Sequence, residues 1–273
     1  TLRAHRCTYN QCVRAAGGKI REVGSAAGAT PEQFTAALGE RTAAVLFYDM
    51  YSLAGGLALS TIVKLVRDHP LSRARRIPIL VDAAAELPPR ENLTRYLRQG
   101  ADLVIFSGGK ELRGPQGTGL VLGRRELIAG CLANGCPKDA IGRPLKVTKE
   151  EIAALVAAVD RYLELDLDAQ WRNWQGQVNW LVEQLNRCTH VHAEAFIMPP
   201  TSTCRPLVPN ALIRWDEKAL GKTISQVAAA LREGDPAIYL RREGSGLAFN
   251  PHVLQPGQEE TVVRRLKEVL AGA

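Results

Sequence analysis

The first half of the chain alternates between short apolar runs and stretches with the apolar spacing of helices. Each run is followed by a polar residue or a glycine. Runs of this kind predict strands buried on both faces, and the helical stretches between them predict crossovers, as in a parallel sheet covered on both sides. The pattern therefore predicts an α/β fold with a mostly parallel sheet. The predicted strands are residues 19–23, 42–48, 77–81, 103–106 and 119–122, and the predicted helices are residues 9–16, 30–38, 60–68 and 91–99.

The second half predicts two long helices and then a smaller mixture of strands and helices. Thr148 precedes Glu151 by three positions, a capping-box pattern that marks the start of a helix reaching residue 166. We predict a large domain at residues 1–147, followed at residues 148–273 by this linking helix and a small C-terminal α+β domain. The remaining predicted helices are residues 171–186, 223–232 and 259–270, and the predicted strands are residues 211–215, 237–241 and 246–249.

Composition narrows the class of protein. The 273 residues are 46% hydrophobic and 23% charged, as in ordinary soluble globular proteins. We find neither a signal-peptide pattern nor an apolar run long enough for a membrane span, so we expect a cytoplasmic location. The six cysteines lack zinc-ligand spacing, and we expect reduced thiols and no metal site. The net charge of +7 suits anionic ligands without identifying one.

Polar residues follow two of the predicted strands at the points where a parallel sheet binds ligands. Asp82 ends one strand, and Ser107 and Lys110 follow the next. A carboxylate and a lysine so placed can hold both ends of a flat heteroaromatic molecule. Pyridoxal phosphate requires this pair, because an Asp binds its pyridinium nitrogen and a Lys forms a Schiff base with its aldehyde. The alternatives are an Asp that caps a turn and a surface lysine.

Four blocks of the sequence resemble a known family. VDAAAELPP, FSGGKELRGPQGTGLVLGRRELI, IGRPLKVTKEEI and GDPAIYLR look like the fold type I pyridoxal-phosphate enzymes related to selenocysteine synthase, and most like the branch of D-glucosaminate-6-phosphate ammonia-lyase-like proteins. The likeness runs from His5 almost to the C-terminus, and it implies the aspartate aminotransferase-like fold. It assigns cofactor contacts to Lys110 as the Schiff-base lysine, Asp82 as the pyridinium partner, Ala84 as the ring neighbour, Ser107 as a phosphate contact, and Gly109.

The resemblance implies a lyase that eliminates a β-hydroxyl and ammonia from a small anionic amino acid or amino-sugar acid. Selenium transfer to seryl-tRNA and a non-catalytic scaffold of the same fold are the alternatives; tRNA is less favoured because the sequence shows no separate RNA-binding module. We expect a homodimer or a higher homo-oligomer. Arg143, Arg241 and Arg242 are candidates for binding the substrate's anionic groups, and each is equally compatible with a surface salt bridge.

One departure from the family concerns the phosphate. Family members carry, before the position that matches Thr1, a helix N-terminus rich in Gly, Ser and Thr that binds the cofactor phosphate. No glycine near Thr1 has that context. We therefore expect the sequence to be a fragment that binds the cofactor weakly when isolated, with a degenerate family member as the alternative.

Overall fold

The computed structural model describes residues 10–25, 28–48, 56–197 and 208–271. These residues form two compact units. Unit 1 contains the described residues up to Leu165, and unit 2 contains those from Asp166 onward. The helix that we expected to link the domains belongs to unit 1. We had predicted the domain boundary between residues 147 and 148, and that boundary stays a prediction.

Unit 1 contains a four-stranded sheet and seven helices among its described residues. Its strands are β1 (Val45–Tyr48), β2 (Ile79–Asp82), β3 (Leu103–Ser107) and β4 (Gly119–Gly123). Its helices are α1 (Asn10–Ala15), α2 (Pro31–Ala37), α3 (Leu59–Asp68), α4 (Pro70–Ala74), α5 (Asn92–Arg98), α6 (Arg125–Asn134) and α7 (Lys149–Glu164).

Two helices of unit 1 begin with reciprocal capping boxes. At α7, the backbone N–H of Glu151 donates to Thr148 Oγ1 at 3.2 Å, and the backbone N–H of Thr148 donates to Glu151 Oε2 at 2.9 Å. At α2, Thr30 and Gln33 make the same pair of hydrogen bonds. Each box satisfies N–H groups that the first helical turn leaves without a partner. The predicted start of the long helix at Thr148 is thus reproduced.

The sheet of unit 1 has the order β1-β2-β3-β4. The first three strands are parallel, as predicted, and β4 runs antiparallel to β3. The register sets Tyr48 beside Asp82, and Asp82 beside Ile105. No strand forms at residues 19–23, where one was predicted; within this segment only Val23 makes an isolated bridge. The carboxyl ends of β1, β2 and β3 consequently meet at one edge.

The two faces of this sheet differ in burial. Val81, Val104 and Phe106 have at most 1% of their surface exposed, and Tyr96 of α5 packs against Phe106 with ring centroids 6.4 Å apart. On the opposite face, Leu80, Asp82, Ile105 and Ser107 are only half-buried. We expected both faces to be covered. Among the described residues, the half-buried face is the one that presents Asp82 and Ser107.

At the amino ends of the strands, one carboxylate joins several elements. Asp102 is fully buried and forms ion pairs with Arg67 at 2.6 Å, Arg76 at 2.9 Å and Arg124 at 3.3 Å. The backbone N–H of Ile79 donates to the same carboxylate at 2.8 Å. Burial alone would raise the pKa of Asp102, but the hydrogen bonds from Arg67 and Ile79 and the guanidinium charges lower it overall. This end of the sheet is therefore electrostatically satisfied within the chain.

Unit 2 is a smaller α+β unit with an antiparallel sheet of order β5-β6-β8-β7. Its core includes Leu181, Ile213, Leu231 and Leu247, which are fully buried. The strand predicted at residues 237–241 forms later, as β7, and β5 was not predicted. The elements are α8 (Leu167–Leu185), β5 (Val191–Ile197), β6 (Pro209–Trp215), α9 (Glu217–Leu220), α10 (Ile224–Arg232), β7 (Arg241–Glu243), β8 (Gly246–Phe249) and α11 (Gln258–Ala271).

Three further observations concern the described residues alone. None of their helices combines the length and the apolar character that a membrane span requires. Cys12, Cys131, Cys136 and Cys188 carry free thiols. No group of three or more His, Cys, Asp or Glu side chains in these ranges could hold a metal ion.

Candidate active site

Asp82 stands at the carboxyl edge of the unit 1 sheet. It is the last residue of β2, and the backbone N–H of Ala84 donates to its Oδ1 at 3.0 Å. One carboxylate oxygen of Asp82 therefore caps the turn, as the alternative interpretation expected. No cationic side chain of the described residues forms an ion pair with Asp82, although its carboxylate is half-buried. Partial burial without a counter-charge leaves the carboxylate suited to a cationic N–H of a ligand.

Lys110 lies in the loop of residues 108–118 that joins β3 to β4. The loop is closed at its base by the pairing of Ser107 with Gly119, and the backbone N–H of Gly108 donates to the carbonyl of Thr118 at 2.9 Å. Lys110 is exposed, and no described acidic side chain pairs with its amine. Exposure alone would fit the alternative of a surface lysine. Its place directly beyond the end of β3 is what distinguishes it.

The glycines of this loop allow close packing. A Cβ added to Gly108 would overlap Thr118 Oγ1 and lie 2.9 Å from Leu155 Cδ1 of α7, and a Cβ on Gly109 would overlap Gln116. Gly114 also lies against α7, since an added Cβ would be 3.2 Å from Leu155 Cδ1. The loop that contains Lys110 therefore packs against helix α7. The predicted cofactor contact of Gly109 remains a prediction, and the structure adds that the Gln116 side chain lies over it.

The segment beneath Lys110 is anchored by buried residues. Glu111 and Leu112 are buried, while Lys110 and Arg113 on either side of them are exposed. Burial and the nearby Glu111 carboxylate raise the pKa of Tyr162 in α7 far above its ordinary value. The interior therefore fixes the middle of the loop and leaves its two cations at the surface.

Arg113 has an unusual backbone conformation. Its φ is +57°, in the left-handed region that favours glycine. A side-chain-bearing residue in that region costs about 1 kcal/mol or more. The backbone N–H of Arg113 donates to the carbonyl of Lys110 at 2.9 Å, and that of Gly114 donates to the carbonyl of Gly108 at 2.8 Å. These two bonds tie the position of Arg113 to that of Lys110.

The remaining predicted contacts occupy different places. Ala84 follows Asp82 and is half-buried, and Ser107 ends β3 on the half-buried face, two residues beyond the neighbour of Asp82. Asp82, Ala84, Ser107 and Lys110 therefore all lie at or just beyond the carboxyl ends of adjacent strands. Their roles as cofactor contacts stay predictions.

Two of the three candidate substrate arginines, Arg143 and Arg241, make local contacts. Arg143 donates to the carbonyl of Pro137 and lies 3.9 Å from Asp139, both in its own loop. Arg241 pairs with Glu243 at 2.8 Å on β7 of unit 2, and Arg242 is an exposed residue of the same strand. These contacts correspond to the surface salt bridges that we kept as the alternative. A substrate role for any of the three stays a prediction.

Sequence reasoning did not assign roles to three neighbours of the site. Tyr48 is brought beside Asp82 by the register of β1 and β2, and its hydroxyl donates to Asn10 Oδ1 at 3.4 Å. Gln116 covers Gly109, and Leu155 supports the loop from α7. The position of Tyr48 at the end of a predicted strand was the one signal available, because the other two contacts depend on tertiary packing.

The residues at this edge fit pyridoxal phosphate. A half-buried carboxylate without an ion-pair partner among the described residues matches a protonated ring nitrogen, and an exposed amine matches an aldehyde. The Ser107 hydroxyl can donate to a phosphate oxygen, and Ala84 is small enough to allow a flat ring beside the strand end. The donor set therefore agrees with the cofactor implied by the sequence.

Comparison with known proteins supports the same assignment. The sequence profile of the family described as SelA: L-seryl-tRNA selenium transferase matches residues 8–173. A 5'-C-glycyluridine monooxygenase-decarboxylase of Streptomyces sp is 33% identical, with 95% of this chain and 62% of that protein covered. The D-glucosaminate-6-phosphate ammonia lyase of Salmonella typhimurium is 29% identical, with 98% and 69% covered. The chain thus spans about two thirds of the length of these relatives.

A solved structure of D-glucosaminate-6-phosphate ammonia-lyase superposes on this chain with a TM-score of 0.79 at 28% identity, and the match covers 99% of this chain and 70% of the other. The fold is that of the fold type I pyridoxal-phosphate-dependent enzymes, which confirms the predicted fold class. Within that class, the chain belongs to the SelA family, because the family profile matches more than half of its residues. The predicted resemblance is confirmed.

Proposed function

We propose that the carboxyl edge of the unit 1 sheet binds pyridoxal phosphate, with Lys110 as the covalent attachment point. The observation that carries the proposal is the placement of Asp82 and Lys110 at or beyond the ends of adjacent parallel strands. Asp82 has no ion-pair partner among the described residues, and Lys110 is exposed. The relatives and the structural neighbour belong to pyridoxal-phosphate-dependent families, which supports the same cofactor. Ser107 would donate to the phosphate, and Ala84 and Gly109 would lie beside the cofactor.

The reaction that this site supports best is elimination from a 2-amino-3-hydroxy acid. When bound, the cofactor supplies an aldehyde that condenses with amines and a ring that withdraws electrons from the substrate α-carbon. The carboxylate of Asp82 keeps the ring nitrogen protonated, and the amine of Lys110 accepts the α-proton. The β-hydroxyl would leave as water with the proton that Lys110 takes from the α-carbon. The resulting enamine would tautomerise to an imine, and a second water molecule would hydrolyse that imine to ammonia and a 2-oxo acid.

Small anionic amino acids or amino-sugar acids are the proposed substrates. D-Glucosaminate 6-phosphate, which the Salmonella relative's name specifies, belongs to this class. The excess of 35 Lys and Arg over 28 Asp and Glu favours association with such anions.

The test is chemical mapping of the cofactor. Purified protein incubated with pyridoxal phosphate should show a protein-bound absorbance that borohydride abolishes, and peptide mapping should place the reduced adduct on Lys110. Exposed Lys146 provides the internal reference for non-specific reaction. An adduct on Lys64 or Lys146, with none on Lys110, would contradict the assignment. A complete lack of adduct would favour the non-catalytic scaffold.

Selenium transfer to seryl-tRNA is the second candidate, because the family profile carries that name. The chemistry at the site is related, since both reactions remove an oxygen substituent from the β-carbon of an amino acid. Binding of seryl-tRNA at physiological salt distinguishes the two, since non-specific phosphate contacts weaken steeply with salt. Salt-resistant tRNA binding would favour the transferase, and turnover of free amino-sugar acid would favour the lyase.

We also propose that the protein forms a homo-oligomer. Helix α6 has no buried residue, and Leu132, Leu145, Ile152 and Val156 in and around α6 and α7 are all more than half exposed. Several large apolar side chains exposed in one stretch of the chain favour an association surface. Light scattering coupled to size-exclusion chromatography tests the proposal, and a monomer at all concentrations would contradict it.

A further inference from the structure

Two cations of the candidate site share one turn. Lys110 and Arg113 are both exposed, whereas Glu111 and Leu112 between them are buried. The hydrogen bond from the Arg113 N–H to the Lys110 carbonyl, 2.9 Å long, brings the two residues together across the turn. Any displacement of Arg113 would therefore be transmitted to Lys110. The turn therefore carries two exposed cationic residues three positions apart.

The backbone at Arg113 indicates that its side chain serves a purpose. Its φ of +57° is a conformation that glycine adopts without strain, and Gly114 is the next residue along the chain. Strained backbone conformations are concentrated at functional sites, where the role of the side chain outweighs the loss of stability that the strain causes. A contribution to stability alone would be a weak reason to keep an exposed arginine there, since exposed charges stabilise proteins little.

The chemistry next to Arg113 is suited to an oxyanion. A guanidinium presents paired N–H groups that match a carboxylate or a phosphate, and Gln116, whose side chain lies over Gly109, adds an amide at the same turn. A backbone hydrogen bond joins Arg113 to Lys110, so an anion bound by Arg113 would lie in the same turn as the Lys110 backbone.

We propose that Arg113 is a specificity-determining residue that binds an anionic group of the substrate, a carboxylate or a phosphate, beside Lys110. The inference rests on the proposed function, because it takes Lys110 as the residue that carries the cofactor. The inference adds that Arg113 selects, by their anionic group, the amine substrates that bind beside Lys110. Substrates that lack the anion would lose this contact and bind more weakly.

The experiment compares Arg113→Gly with a matched relief of strain elsewhere. His190 also has a positive φ, +64°, in the turn before β5 of unit 2, so His190→Gly removes similar strain without touching the site. Binding of D-glucosaminate 6-phosphate to the pyridoxal-phosphate-treated protein is measured by calorimetry for the wild type, both glycine variants and Arg113→Lys. The Lys110 adduct is mapped in the same samples.

We expect Arg113→Gly to weaken binding by about tenfold to a hundredfold, the range for loss of a hydrogen-bonded charge. Arg113→Lys should lie between, because an ammonium keeps the charge without the paired geometry. His190→Gly should bind as the wild type does, and both glycine variants should melt no lower than the wild type. A purely structural role for Arg113 would change the melting temperature without changing affinity.

The outcomes separate the two proposals. A Lys110 adduct with equal affinities in the wild type and Arg113→Gly overturns the inference and leaves the proposed function standing. A Lys110 adduct without measurable binding by the wild type also overturns the inference for this class of anion. Absence of the adduct from the wild type overturns the proposed function and, with it, the inference built on it.

Discussion

The two ends of the unit 1 sheet carry the same kind of charged group in opposite circumstances. At the amino ends, Asp102 is fully buried and bound by three arginines and a backbone N–H. At the carboxyl ends, Asp82 is half-buried and accepts one backbone N–H, with no ion pair to a described residue. Burying a charge costs free energy unless partners compensate it, and a ligand of opposite charge can be such a partner. Removing the first carboxylate would leave several charges without their partner, whereas removing the second would break one hydrogen bond among the described residues.

The sharpest test of this contrast is removal of the amine at the carboxyl end. Lys110→Ala should lower turnover by at least about a thousandfold, since the loss of a covalent attachment point removes a whole catalytic strategy. Its thermal unfolding should be unchanged, because Lys110 is exposed and unpaired among the described residues. Lys146→Ala is the control and should retain activity. Retained activity in Lys110→Ala would show that Lys110 takes no part in catalysis.

The second test removes one charge and keeps the shape. Asp82→Asn should raise the activation free energy of α-proton removal by about 3–5 kcal/mol. This is the cost of leaving the positive charge on the cofactor ring nitrogen without its carboxylate partner. Rapid-mixing kinetics of the first turnover measure this step. Folding should change little, because an asparagine oxygen can still accept the Ala84 N–H. Near-normal turnover would show that Asp82 does no more than cap its turn.

The third test addresses the amino end. Asp102→Asn should lower the free energy of unfolding by about 3 kcal/mol, because three guanidinium groups lose their common counter-charge. Denaturant unfolding measures the loss. Asp68→Asn is the control, since both side chains of its 2.7 Å pair with Lys64 are exposed, and it should leave stability almost unchanged. Equal effects of the two substitutions would contradict the contrast between buried and exposed carboxylates.

The same carboxylate predicts a direction for the pH dependence. The pKa of Asp102 is lower in the folded protein, so its contribution is complete above the unfolded-state pKa of about 4 and is lost as the pH falls through the lower folded-state value. Stability of the wild type should therefore decline on acidification below about pH 4 more steeply than that of Asp102→Asn. Parallel declines in the two proteins would show that other carboxylates govern acid unfolding.

The smallest expected effect concerns the loop that holds Lys110. Gly108→Ala should destabilise unit 1 by about 1–2 kcal/mol, because the new methyl group would overlap Thr118 and crowd Leu155. Thermal unfolding measures the change, and cofactor mapping shows whether Lys110 is displaced. Gly176→Ala in α8 has no atom within 4 Å of the new methyl group and should be neutral or stabilising. Stabilisation by both substitutions would mean that the loop is more loosely packed than described.

The sequence predicted the features that depend on local order. The positions of Asp82, Ser107 and Lys110 at or beyond strand ends could be predicted, because each follows an apolar run in the sequence; their roles stay predictions. The orientation of β4 could not, since apolar runs look alike in both directions. Strand β7 begins at Arg241, later than predicted, because the turn at Gly244 pairs Glu243 with Gly246 and so fixes the register. The partners of Asp102 come from three separate segments, a long-range arrangement that no short pattern reveals.

The hairpin of β3 and β4 also has a consequence for the order of assembly. Its pairing joins residues that are close along the chain, and such contacts form within about microseconds to tens of microseconds. The parallel pairing of β2 with β3 needs a crossover through α5, and non-local pairing of this kind is slower. We expect the turn bearing Lys110 to fold before Asp82 arrives beside it. Pulse-labelling hydrogen exchange during refolding should protect the Leu122 amide before the Val81 amide, and the reverse order would refute this sequence of events.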